Sequence, residues 1–396
     1  MYDAIVVGAG PAGSYIASRL AQLGYEVLVL ERKGEVGENV CCTGIISTEC
    51  FSAFNLDATI FRQASSAKFF APCSEFIQLY KECPQAYIVD RASLDRSLKE
   101  HAQRCGVDYL FSAPVIAITN KPDYASVIVD YQGERRTFTT QTVILACGSS
   151  SRLPEKLGLG KIKSFVFGAQ AEAEIKNVDE VEVYFDQKLF FGFFGWLVPT
   201  SPGKGLAGLL VLKAPDSHLR IFLRHLQSQG KISSAEANMN FGTIPLSALP
   251  RTHGSRVVVV GDAAGQVKPT TGGGIYYGLL CADIAAETLH QAFLANDFSA
   301  TKLSPYDKQW KAKLGRELQT GYWVRRLYKK FSNRRIDYLF QLAKDRGIPK
   351  LVAEQQNFSF DWHRDLIFKV LKQLAPSALP TPLKSISKKG MPMNTK

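Results

Sequence analysis

The stretch YDAIVVGAGPAGSYIASRLAQLGYEVLVLE, residues 2–31, decides the fold. Its opening YDAIVV is a short apolar, β-branched run that reads as a buried strand. A helical pattern follows from Ala12 to Leu23, and YEVLVLE then reads as a second strand ending at Glu31. Between strand and helix lies Gly8-Ala9-Gly10-Pro11-Ala12-Gly13. Gly8 permits the tight turn, Gly10 lets the backbone approach a pyrophosphate, and Gly13 lets helix and strand pack closely. The helix N-terminus supplies N–H groups and partial positive charge to phosphates. Glu31 falls 18 residues after Gly13, where a carboxylate binds an adenosine ribose. Together these features predict a Rossmann-like domain that binds a dinucleotide.

The glycine spacing alone is a weak signal, because Gly203-Lys204-Gly205-Leu206-Ala207-Gly208 matches it too. That copy follows Ser-Pro and runs into GLLVL with no helix opening, so it reads as a hairpin turn. More distant residues choose between NAD and FAD. VVVVGDAAGQVKP, residues 257–269, is a strand running into Gly261-Asp262, whose carboxylate suits the ribityl hydroxyls that FAD has and NAD lacks. TTGGGIYYGLLCADIAAETL then opens a helix at a glycine turn, with Pro269, Gly273, Gly274 and Ile275 at its start. That N-terminus suits the flavin edge where negative charge develops on reduction. TVILACGSSSRL, residues 142–153, is a further strand ending in a turn, carrying Ala146 and Gly148.

These motifs, with Arg91 and Asp95 of VDRASLDRSL, resemble the p-hydroxybenzoate hydroxylase-type flavoproteins. Within them the chain is similar to the geranylgeranyl reductase family, from residue 1 to about residue 345. The resemblance implies an enzyme that uses FAD to saturate isolated C=C bonds of isoprenoid chains in lipids, quinones or pigment precursors. Two segments favour the reductases: Cys42-Thr43-Gly44 matches their Cys-x-Gly, and Phe194-Gly195-Trp196-Leu197-Val198-Pro199 matches an aromatic-x-Trp-x-aromatic-Pro motif. Phe194 stands for the usual Tyr and Val198 for the usual Phe, so the hydroxyl at the first position is gone. Carried over residue by residue, the family's flavin contacts fall on the residues named above together with Arg32 and Arg91, and Cys42, Phe194 and Trp196 become the catalytic candidates. No His or Cys in these motifs argues for a covalent link, so non-covalent FAD is expected. The electron donor, NAD(P)H or ferredoxin, stays open.

The expected architecture is α/β, with a Rossmann-like FAD-binding domain, an inserted antiparallel β-sheet substrate domain and a C-terminal helical region. The FAD domain is placed discontinuously at 1–60, 86–160 and 245–300, and the sheet domain at 61–85 and 164–244. Helices are expected over 300–374 and a disordered tail over 375–396. In YWVRRLYKKF, residues 322–331, Trp323, Val324, Leu327, Tyr328 and Phe331 project to one face and Arg325, Arg326, Lys329 and Lys330 to the other. The pattern suits a membrane-surface contact, but equally a helix packed on its own domain, which is the preferred reading.

Composition sets the outer bounds. The 396 residues allow more than one domain, and 46% hydrophobic content is that of a globular protein. No secretory signal and no apolar run of membrane-spanning length are read, so a cytoplasmic protein is expected, working peripherally at a membrane if it meets lipid. The eight cysteines have no C-x-x-C spacing and no metal site is expected. Residues 310–396 hold 19 Lys and Arg against 6 Asp and Glu, a net of +13 in a chain totalling +12, so the rest is at −1. That basic region suits an anionic membrane surface or an acidic electron donor protein. The bland reading is a solvated helical face, and no nucleic-acid partner is expected.

Saturating an unactivated C=C needs a hydride on one carbon and a proton on the other. Carbon is a poor base, so the proton donor has to be in place beforehand. Cys42 is the candidate donor in a loop expected to cross the flavin, and Cys41 is expected to point the opposite way. Inert buried thiols are the alternative. A flavin monooxygenase or halogenase on the same scaffold, and a flavin-bearing electron carrier that binds lipid or quinone, are the competing functions.

Overall fold

The computed structural model describes residues 1–355 and 359–374. The disordered tail expected over 375–396 lies outside the described residues. The opening stretch folds as its spacing predicts. Strand Tyr2–Val7 is followed by helix Pro11–Gln22 and strand Val27–Leu30. The four apolar residues of the second strand are all buried, as a strand covered on both faces requires.

Tyr2–Val7 lies at the centre of an eight-stranded sheet. It pairs in parallel with Val27–Leu30 on one side and with Glu134–Leu145 on the other. Val257–Val259 extends the parallel set beyond Glu134–Leu145 and delivers the chain to Gly261. Three chain segments far apart in sequence therefore end side by side at one edge, which is where ligands bind in open α/β sheets.

A second sheet has seven strands in the order Met239–Pro245, Phe165–Glu174, Lys204–Val211, Gly195–Pro199, Val181–Tyr184, Ser66–Phe70 and Phe76–Tyr80. Its pairings are antiparallel except Val181–Tyr184 with Ser66–Phe70, which is parallel. The second glycine-rich match is the hairpin between Gly195–Pro199 and Lys204–Val211, with Pro199 facing Gly205 across it. Helix Pro215–Ser228 covers one face, where Leu219, Phe222, Leu223 and Leu226 join Leu197, Leu209 and Ala169 in one core. The other face carries Val181, Val183, Trp196 and Val198 towards Ile45 and Ile88 of a three-stranded sheet.

Helix Ala300–Tyr328 spans both bodies. At 29 residues it is about 44 Å long, enough to cross a domain. Near its start Tyr306 donates to the Val259 carbonyl at 2.7 Å, and Trp310 Nε1 donates to Thr252 Oγ1 at 2.8 Å. Near its end Tyr328 donates to the Phe193 carbonyl at 3.2 Å. The expected division of residues 322–331 into an apolar and a basic face needs correction. Arg325 is only 8% exposed and lies under the Phe193 ring, whereas Trp323 is 48% exposed. The helix turns its Gly321–Arg325–Tyr328 side inward because Gly321 lets it approach Pro269 closely. The long arginine stem and planar head then stack on aromatic rings instead of reaching solvent.

Among the described residues no helix is long and apolar enough to cross a membrane. No cluster of three or more metal-ligating side chains occurs among them either.

Candidate active site

The glycine loop is built as a cradle. Gly8 has φ +107, and a Cβ on it would meet the Ala146 carbonyl oxygen at 2.5 Å. A Cβ on Gly13 would lie 2.0 Å from the Gly8 oxygen. Both positions therefore exclude any other residue. Pro11 opens the helix, and its Gly10 N-cap brings no side-chain bond to the first N–H groups. A Cβ on Gly10 meets nothing within 4 Å, so the loop surface is free for close approach. Glu31 closes the loop from the second strand: Oε2 accepts from Ala9 N at 2.8 Å and Oε1 from Lys33 N at 3.0 Å. Arg32 lies near Cys147, whose thiol is pushed up by burial and drawn back by neighbours including that guanidinium.

The distant motifs arrive at the same edge. Ala146 N donates to the Val7 carbonyl at 2.9 Å, and a Cβ on Gly148 meets nothing within 4 Å. A Cβ on Gly261 would be 3.2 Å from Ala12 Cβ, so the turn at Asp262 abuts the dinucleotide helix. Burial pushes the Asp262 carboxyl up to about 6, with the Arg91 guanidinium pulling the other way. Helix Ile275–Leu294 starts at Gly274 with no side-chain cap, so its first N–H groups stay free for an anionic or carbonyl ligand. An open glycine cradle, two uncapped helix N-termini and a desolvated carboxyl between them fit FAD as the ligand.

The Cys-Thr-Gly segment runs alongside. Gly44 exchanges backbone contact with Val89, whose N–H donates to the Gly44 carbonyl at 2.9 Å. This places Thr43 and Cys42 next to the start of helix Arg91–Arg104. Arg91 grips Asp95 with two bonds of 2.6 and 2.8 Å. Burial works against the guanidinium, but Asp95 and the neighbouring Cys42 thiol more than offset it and hold the group above its ordinary range. The backbone N–H of Gly44 also points at Cys42 Sγ, at 3.5 Å. Cys41 turns away: its thiol donates to the Asn240 carbonyl at 3.5 Å, and burial pushes it up to about 12. Adjacent cysteines thus sit in different environments, one against a cation and one against the sheet.

The aromatic motif occupies the sheet face. Trp196 lies 6.0 Å from Phe194 between ring centroids, and Phe194 leads on to Phe185 at 6.4 Å. Phe185 in turn meets Tyr328 and Phe340 of the C-terminal helices, both at 5.8 Å. Trp196 therefore belongs to the face towards the Cys-Thr-Gly segment, whereas Phe194 leads into the helical cover. The link from Trp196 to Cys42 runs through Gly208 and Gln170, whose Nε2 donates to the Cys42 carbonyl at 3.2 Å.

Sequence reasoning missed Gln170 and the C-terminal strap. Lys268, in the loop before Pro269, is buried and ion-paired to Asp361, and Ser47 donates to the same carboxylate. Tyr277 donates to the Asp361 carbonyl at 2.9 Å, and Thr270 pairs with His363 at 3.1 Å. A lysine inside an otherwise glycine- and threonine-rich loop was the one available signal. Its partner segment lies beyond the reach of the family resemblance.

Fold and site together define a flavin-dependent oxidoreductase of the Rossmann-like dinucleotide-binding class. Residues 2–188 match the family described as Pyridine nucleotide-disulphide oxidoreductase. The chain is 31% identical over 350 residues to the digeranylgeranylglycerophospholipid reductase of Methanocaldococcus jannaschii, covering 86% of this chain and 90% of the relative. It is 29% identical over 377 residues to digeranylgeranylglycerophospholipid reductase 2 of Methanopyrus kandleri, covering 90% and 93%. The chain belongs to the geranylgeranyl reductase family of FAD-dependent oxidoreductases. Among solved structures, a geranylgeranyl bacteriochlorophyll reductase-like protein of Thermoplasma acidophilum superimposes with TM-score 0.84 at 21% identity, covering 98% of each chain. A flavin-dependent halogenase shares the fold at TM-score 0.66 and 17% identity, over 98% of this chain and 78% of that one.

Proposed function

We propose that this chain reduces isolated C=C bonds of an isoprenoid, geranylgeranyl-type chain carried by a lipid, quinone or pigment precursor. The observation that carries the reading is the placement of Cys42 between the Arg91 guanidinium and the sheet face that holds Trp196. The relatives named as digeranylgeranylglycerophospholipid reductases supply the substrate class.

Gly8 to Gly13, Glu31, Arg32, Arg91, Ala146, Gly148, Asp262 and the Pro269–Ile275 turn would hold FAD without a covalent link, and the reduced cofactor would supply the hydride. Cys42 holds the proton for the second carbon. Its neighbour Arg91 hydrogen-bonds the Cys42 side chain. Trp196, Phe194 and Val183 form an apolar wall that aligns the prenyl chain. Cys41, with its high thiol and its bond to the sheet, has a packing role.

The 1–60, 86–160 and 245–300 segments act as the FAD domain and 61–85 with 164–244 as the substrate domain. Electrons reach the site from NAD(P)H or a ferredoxin. The enzyme works in the cytoplasm, peripherally at anionic membrane, through the basic stretch around the exposed Trp323, where Arg326 lies 5.3 Å over the indole. The test is anaerobic incubation of the dithionite-reduced protein with geranylgeranyl lipids, followed by mass spectrometry. Products two mass units heavier per reduced bond support the reading, and unchanged lipids with a fully reduced flavin refute it.

A further inference from the structure

The sheet register places a row of residues side by side on the substrate face. Asn240 pairs with Gln170, Gln170 with Gly208, Gly208 with Trp196, and Trp196 with Val183. Directly paired residues on adjacent strands project to the same face. Gly208 is needed here for space: a Cβ on it would lie 2.4 to 2.7 Å from Cζ2, Cε2 and Nε1 of the Trp196 indole. The polar edge of that indole therefore lies across Gly208, in the row next to Gln170.

Two polar atoms in this row are buried without a partner among the described residues: Gln170 Oε1 and Trp196 Nε1. The amide orientation of Gln170 follows from its other end, because only Nε2–H can donate to the Cys42 carbonyl. Oε1 is then an acceptor with nothing to accept, on a side chain only 4% exposed. Indole Nε1 is a donor with nothing to receive it. Leaving such groups unpaired in the interior costs free energy, and native proteins fill these gaps with ordered water. One acceptor beside one donor selects a group that can both donate and accept, which is a hydroxyl-type oxygen. A prenyl double bond has no such atom.

Resting on the proposed role of Cys42, we propose that Gln170 and Trp196 hold a water that returns the proton to Cys42 after each turnover. When the thiol has protonated the alkene carbon, a thiolate remains beside Arg91. The water gives one proton to that sulfur and takes one from solvent, so its own charge does not change and no electrons move. Gln170 is anchored by one hydrogen bond to the Cys42 backbone carbonyl, which ties this row to the Cys-Thr-Gly segment. Gln170 acts on proton supply alone, and Trp196 acts on it in addition to its place in the apolar wall.

Gln170→Leu and Trp196→Phe test this. Each removes one of the two polar atoms, and the second keeps an aromatic ring on the wall. A crystal structure of the FAD-loaded wild type should show a solvent oxygen within about 3.2 Å of both atoms, lost in both variants. With excess dithionite and prenyl lipid, the first turnover of Gln170→Leu should match wild type. Steady-state kcat of both variants should fall roughly tenfold or more, with a larger solvent deuterium effect and partial rescue by added imidazole, and KM of Gln170→Leu should stay within about twofold. The proposal is overturned if that position is dry or holds a flavin or lipid atom, or if both variants turn over at the wild-type rate. Should the wild type reduce no prenyl lipid at all, the proposed function fails, and the crystal structure alone decides whether the water is there.

Discussion

The Lys268 ammonium and the Asp361 carboxylate form a buried ion pair at 2.6 Å, joining residues 93 apart in sequence. Lys268 belongs to the loop that precedes the helix at Gly274, and Asp361 to the C-terminal strap. The same carboxylate accepts from Ser47, the N-cap of helix Thr48–Phe54. One acidic group thus ties the glycine- and threonine-rich loop and the segment after Cys-Thr-Gly to the C-terminal helices.

Breaking that pair from one side should be costly, because it leaves an uncompensated charge in the interior. Asp361→Ala is expected to lower stability by ~3–5 kcal/mol, and to release FAD on gel filtration. Replacing both partners, with Lys268→Met and Asp361→Leu, should recover most of the loss. Thermal unfolding of the three variants measures this, and an Asp361→Ala protein with wild-type Tm and FAD content would refute the clamp.

His363 makes the strap sensitive to acid. Its Nε2–H donates to the Phe360 carbonyl, so Nδ1 is left to accept from Thr270. Burial, reinforced by Lys268, pushes the imidazole down to about 4. The unfolded chain takes up this proton near pH 6.5 and the folded protein only near 4, so the stability is complete above 6.5 and drains away as pH falls towards 4. The contribution is roughly 3 kcal/mol. Between pH 7 and 5 the wild type should lose more Tm than His363→Asn, and equal losses would contradict the assignment.

Asp262 carries the opposite sign. Its carboxyl is held up at about 6 by burial, so above pH 6 the apoprotein carries a desolvated charge that the unfolded chain does not. Asp262→Asn should therefore stabilise the apoprotein at pH 7 to 8 by on the order of 1–2 kcal/mol, while weakening FAD retention. A variant that loses stability at that pH yet holds FAD normally would show that the carboxyl is structural.

Much of this was readable from sequence, for physical reasons that differ by region. Gly8 to Gly13 and the strands around them follow local rules of turn, helix start and buried strand, so their assembly was predictable residue by residue. Asp262 and Ala146 were legible because the family resemblance placed them, and parallel pairing then brings them to the edge beside Gly8. Gln170 was not legible. It stands in a run of alanines and acidic residues, and its meaning comes from a register with Gly208 and Trp196 that only the folded sheet supplies. Arg325 was misplaced because helical projection cannot say which arc turns inward when an aromatic ring such as Phe193 waits to stack on a guanidinium.

For the two adjacent cysteines the expectation is asymmetric. Cys42→Ala should bind FAD and accept electrons from dithionite, but its reoxidation by alkene should slow by ~10²–10⁴-fold. Cys42→Ser should fall between the two, a hydroxyl being a far weaker acid than a thiol. Cys41→Ala should stay near wild type. Equal activity of Cys41→Ala and Cys42→Ala would make both thiols packing residues.

Isoprenoid reduction is tested most directly by an anaerobic titration. Dithionite-reduced, FAD-loaded protein freed of excess reductant is mixed with a geranylgeranyl lipid, and flavin absorbance is followed while the lipid is quantified. Oxidised flavin should reappear in a one-to-one ratio with double bonds lost, and a fully saturated lipid of the same headgroup should leave the flavin reduced. Flavin that stays reduced with every prenyl lipid and reoxidises only when oxygen is admitted would contradict it.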